Sequence, residues 1–141
     1  MENTVKIRYG WLKAMYLYTL VTAGGLGFAM LFFPGRLQLL LHFPAQDPVT
    51  FTLYGSLVLA AGLIAIPALF FPLKFVPLLL LQLVYKPVWI GLTAIPIFMK
   101  GEWPPHVVLI TVVFLIYIVG DLIAIPFPYL FSKDGTARPA G

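Results

Sequence analysis

Val76–Met99 reads VPLLLLQLVYKPVWIGLTAIPIFM, an apolar run with a single charge, Lys86, near its middle. At ~1.5 Å rise per residue, a helix of this length crosses the ~30 Å hydrocarbon core of a bilayer. A charge at the bilayer centre costs roughly 2.5–3.5 kcal/mol on insertion scales, so it needs a partner, a wet cavity or a function. The following run, about His106 to Phe131, holds a second such residue, Asp121. These two segments decide the class of the molecule.

The rest of the chain agrees with them. A first span extends from about Trp11 to Phe33 and stops at Pro34-Gly35. A second begins at Asp47-Pro48, a helix-start pair, and continues to about Phe71. The short turn Pro72-Leu73-Lys74 leads into Val76–Met99, and Lys100-Gly101-Glu102-Trp103-Pro104-Pro105 separates that span from the fourth. Backbone exposed to lipid must satisfy its own hydrogen bonds, which requires helices. The expectation is an all-α polytopic membrane protein: one domain over residues 1–141, folded as an up-down bundle of four transmembrane helices.

Composition points the same way. The chain is 61% hydrophobic and 10% charged, against about a quarter charged in soluble domains. The net charge of +4 carries no basic run suited to nucleic acid. Lys6, Arg8, Lys13, Lys74, Lys133 and Arg138 fall on one side of the predicted bundle, with Arg36 and Lys100 on the other. That asymmetry predicts cytoplasmic termini and contact with membrane lipids. The first span outruns a signal-peptide core and is expected to be retained. With no cysteine, thiol relays, thiol-linked haem and Fe–S ligation within the chain are excluded.

Packing is expected along small residues four apart: Thr19, Ala23 and Gly27 in the first span, Thr52, Ser56 and Ala60 in the second. Gly35–Asp47 is too long for a tight turn. Its Leu37, Leu40 and Leu41 fit a short interfacial helix, with an extension of the first helix as the alternative. Trp11, Tyr16, Trp103 and Tyr129 read as boundary anchors. Pro67, Pro96 and Pro126 read as helix endings, and Pro87 as a kink that frees the Leu83 carbonyl.

The candidate site is the polar stripe of the last two spans. Gln82 and Lys86 are four apart, as are Tyr117 and Asp121, so each pair shares a helix face. Counting from Glu102 at ~1.5 Å per residue, Asp121 lies level with Gln82, and Lys86 is offset by about 4.5 Å. With Tyr85, these residues form either a buried Lys86–Asp121 ion pair or a site for a small polar ligand, a lipid headgroup or a proton. His42 and His106 have no metal-ligand spacing and read as surface residues, and no cofactor motif is present.

Leu81-Gln82-Leu83-Val84-Tyr85-Lys86-Pro87-Val88-Trp89 and Val119-Gly120-Asp121-Leu122-Ile123-Ala124-Ile125-Pro126-Phe127 resemble the last two helices of the DoxX-like small bacterial membrane proteins. Some of those are subunits of quinone-linked oxidoreductases, so the resemblance implies a partner-dependent role in the inner membrane. The chain is also similar in helix count to the sterol-isomerase-like fold, whose enzymes use paired carboxylates. The expected function is a non-catalytic membrane subunit or ligand-binding component. An oligomeric transporter of protons or small solutes is the alternative, and an isomerase-like enzyme the third. A protein partner or a second copy of the chain fits these readings.

Overall fold

A computed structural model describes residues 3–132 and 137–140, with side chains from Lys6 to Ser132. Four helices are long and apolar enough to span a membrane: α1 Tyr9–Phe32, α3 Pro48–Phe70, α4 Val76–Met99 and α5 Pro105–Ala124. Between α1 and α3 lies the short helix α2, Pro34–Leu41, and after α5 comes the single turn α6, Phe127–Leu130. Strand β1, Asn3–Lys6, pairs in parallel with β2, Ala137–Ala140. The two ends of the chain therefore meet on one side of the bundle.

Local chemistry explains most boundaries. The α3 start is a capped one: the Asp47 carboxylate accepts from the Thr50 N–H at 2.9 Å and its hydroxyl at 2.8 Å, with Pro48 at the first helical position. Those two bonds hold the Asp47 carboxyl below its ordinary value. Helix α2 is a separate element, because Pro34 starts it after Phe33 leaves helical geometry, and His42 ends it in the left-handed region at φ 55°. Leu37 is its buried residue; Leu40, expected on the same face, is 75% exposed.

Prolines act differently from expectation at three positions. Pro87 lies inside regular helix, and the irregularity of α4 falls after it, as a π turn at Ile90–Ala94. Pro67 and Pro96 are both accommodated within their helices. The fourth span ends at Ala124 and not near Phe131, since Ile125 is extended ahead of Pro126. Arg8 donates to the Ile123 carbonyl at 3.1 Å, placing a cation at the α5 C-terminus where the helix dipole favours one.

Helix α1 is the hub. It packs along α3 over most of its length, and its first half, Tyr9–Thr19, also packs against α5 and touches α4. The α1–α3 contact is a glycine contact. Gly24 and Gly62 bring the two backbones together, and a Cβ on Gly27 would sit 2.5 Å from the Leu59 nitrogen. The packing face of α3 is therefore Gly55, Val58, Gly62 and Ala65. Thr52, Ser56 and Ala60, expected there, are exposed instead. The Thr52 and Ser56 hydroxyls donate to their own helix carbonyls, which lets them face lipid at little cost.

Two cores result. One gathers Leu12, Met15, Tyr16, Ala65, Ala68, Val76, Leu79, Tyr117 and Ala124 from all four spans, near the end that carries the termini. The other, Met30, Leu37, Phe51 and Val58, belongs to α1, α2 and α3 alone. Tyr16 is a core residue and not a boundary anchor: its ring is fully buried and its hydroxyl donates to the Pro72 carbonyl at 2.6 Å. Trp11 and Trp103 are exposed, and Trp103 stacks on Phe98 at 4.4 Å. Outward-facing residues such as Leu92 and Met99 are apolar, as a lipid-facing surface requires.

Candidate functional site

Two turns of helix α4 and two of α5 bring the predicted residues together. Gln82 and Lys86 point from α4, and Tyr117 and Asp121 from α5, all four with at most 2% exposure. Tyr85 is half-buried beside them. The stripes meet at a common depth, and α1 closes the third side with Tyr16, Tyr18, Thr19 and Thr22.

Lys86 does not use Asp121. Its ammonium donates to the Tyr85 hydroxyl at 2.8 Å. It also lies over the Tyr117 ring at 3.9 Å, the Tyr85 ring at 4.3 Å and the Phe114 ring at 5.0 Å. Trp89 meets Phe114 edge-on at 5.3 Å and extends this wall. Desolvated cation–π contacts reach about 2 kcal/mol, and a hydrogen bond to a charged group adds about 1.5–3 kcal/mol. Together they offset much of the cost of a charge at this depth.

Asp121 is the opposite case. It has no exposure, and among the described residues neither carboxylate oxygen has a hydrogen-bond partner. The hydroxyls contributed by α1 have their hydrogens committed elsewhere. Tyr16 donates to Pro72, Tyr18 to Val113, Thr19 to Met15 and Thr22 to the Tyr18 carbonyl. Since Thr22 has used its hydrogen, the close Tyr117–Thr22 bond has Tyr117 donating.

Gln82 is also incomplete. Its Oε1 lies 3.4 Å from the Thr19 hydroxyl, and its buried Nε2 has no partner. Thr19 has one hydrogen, which bonds Met15 at 2.8 Å. Whichever way the amide faces, at least one of its two polar atoms stays free.

Of the two readings of this stripe, the closed ion pair is not the arrangement found. Lys86 and Asp121 are both buried and close enough to couple electrostatically, but they do not form a closed pair. The reason is the aromatic wall, which offers the ammonium the Tyr85 hydroxyl and ring faces from Tyr85 on α4 and from Phe114 and Tyr117 on α5. Phe114, Thr19 and Thr22 were not singled out for this site by sequence. Phe114, Tyr117 and Asp121 do share one face at helical spacing, and that was the available signal.

The other ionisable residues stay apart. Glu102 is exposed in the turn after α4, at the opposite end of α5 from Asp121, so it does not join that carboxylate. His106 is half-buried with its ring 5.0 Å from Phe43. Among the described residues, no group of three His, Cys, Asp or Glu could hold a metal ion. No protein-family model matches the chain, and neither does any curated protein or solved structure.

Proposed function

We propose that this multi-pass membrane protein is a non-catalytic ligand-binding component of the bacterial inner membrane, with both termini cytoplasmic. The ligand would be held by the cluster of Asp121, Gln82, Lys86, Tyr85 and Tyr117. One observation carries the reading: a fully buried carboxylate whose two oxygens have no partner, beside an amide with one free polar atom. Buried polar groups without partners are uncommon, and a carboxylate with no hydrogen bond in a membrane core is costly enough that an occupant is the simplest account. Six basic residues against two support the orientation, and the β1–β2 pairing puts both ends on one side. The DoxX-like resemblance of the last two helices favours a role beside a protein partner.

The test is mass spectrometry of small molecules released from the protein after extraction in native lipid. Wild type should carry a bound species that Asp121→Asn lacks. Identical release profiles from two equally folded proteins would overturn the reading. Orientation is checked separately by labelling single cysteines introduced at Gly10 and Gly101, since the chain has none of its own.

A further inference from the structure

Resting on the ligand-site reading above, the geometry points to the class of occupant: we infer a small neutral molecule bearing paired N–H or O–H donors next to a carbonyl or hydroxyl acceptor. The site's free groups define this complement. Asp121 offers two acceptor oxygens side by side, and the hydroxyls of Tyr16, Tyr18, Thr19 and Thr22 donate elsewhere. Gln82 offers one free amide atom at the same level of the bundle. A primary amide, a urea or a vicinal diol matches that arrangement, because each presents adjacent donors and an acceptor within one small group.

Lys86 sets the charge preference. It is held in the aromatic wall by Tyr85, Tyr117 and Phe114, so it balances the Asp121 charge without covering the carboxylate. The two charges together therefore sum to zero before anything binds. A cationic ligand would satisfy Asp121 but leave an excess positive charge beside Lys86 in a low-dielectric interior. An anionic ligand would meet the carboxylate directly. A neutral donor group avoids both costs. Lys86 acts as the residue that excludes cations, and Asp121 as the residue that grips the donors.

Three probes of nearly one shape separate these cases: acetamide, acetamidinium and acetate. Binding to the protein in lipid nanodiscs is read by saturation-transfer NMR and by the shift in thermal unfolding. Acetamide should bind wild type at least about tenfold more tightly than either charged probe, and acetate should not bind. In Lys86→Met the compensating charge is gone, and the order should invert toward acetamidinium. A purely structural lysine would weaken all three probes alike. If wild type itself prefers acetamidinium, the neutral-ligand inference is overturned while the site stands. If no probe binds wild type, or if Asp121→Asn binds acetamide unchanged, both the inference and the ligand-site reading fail. The wild-type comparison decides the matter even where a variant does not fold.

Discussion

Lys86 and Asp121 lie buried on adjoining helices, yet the ammonium hydrogen-bonds Tyr85 and the carboxylate hydrogen-bonds nothing. This division makes the two charges unequal in their effect on stability. Lys86 has a hydroxyl and three ring faces, whereas Asp121 has only the field of Lys86 to offset its desolvation. Removing the satisfied charge exposes the unsatisfied one.

Asp121→Asn should therefore fold as well as wild type or better. Lys86→Met should lose about 3 kcal/mol, the low end for leaving a buried charge uncompensated. The double variant should return close to Asp121→Asn. Unfolding measured in one detergent for all four proteins gives the cycle. Equal losses from the two single changes would contradict the asymmetry.

The hold on Lys86 can be divided by two substitutions at one position. Tyr85→Phe removes the hydroxyl 2.8 Å from the ammonium and keeps the ring, and should cost about 1.5–3 kcal/mol. Tyr85→Leu removes the ring face as well and should cost up to about 2 kcal/mol more. If Tyr85→Phe has no effect, the ammonium takes its hydrogen bond elsewhere and the aromatic wall is not its resting place.

Much of this arrangement was legible in the sequence, for one reason. In lipid, hydrophobicity decides where helices are, and rise per residue decides depth, so Gln82, Lys86 and Asp121 could be levelled by counting along two helices joined by a short turn. Rotation about a helix axis and side-chain direction are a different matter. Which small residues of α3 meet α1 depends on rotation, and two stripes competed: Thr52-Ser56-Ala60 and Gly55-Gly62. Glycine won because it alone lets the backbones touch at Gly24. The preference of Lys86 for Tyr85 over Asp121 rests on ring faces, Phe114 among them, that no spacing rule places around an ammonium.

Those glycines make a graded prediction. A Cβ on Gly62 would overlap the Gly24 backbone, while one on Gly24 would meet Gly62 at an ordinary 3.5 Å. Gly62→Ala should cost about 1–3 kcal/mol by forcing α1 and α3 apart. Gly24→Ala should be tolerated. Gly25→Ala, with nothing within 4 Å, should gain about 0.5–1 kcal/mol from helix propensity. Thermal unfolding of the three variants checks the order, and a Gly62→Ala protein as stable as wild type would remove the close contact from the account.

The last prediction concerns the cap of α3, which lies outside the membrane segment. Two bonds from Thr50 lower the Asp47 carboxyl relative to its unfolded value of 3.8. A group with a lowered folded pKa contributes its full stabilisation above the unfolded value and loses it as pH falls through the folded one. Protection of the Thr50 amide against hydrogen exchange should therefore hold down to about pH 4 and decline below it, once the intrinsic pH dependence of exchange is removed. Asp47→Asn, which keeps an acceptor oxygen but does not titrate, should retain the cap and flatten the profile. Asp47→Ala should fray the first turn of α3 at every pH. A decline that persists in Asp47→Asn would assign the transition to another group and remove the cap from the explanation.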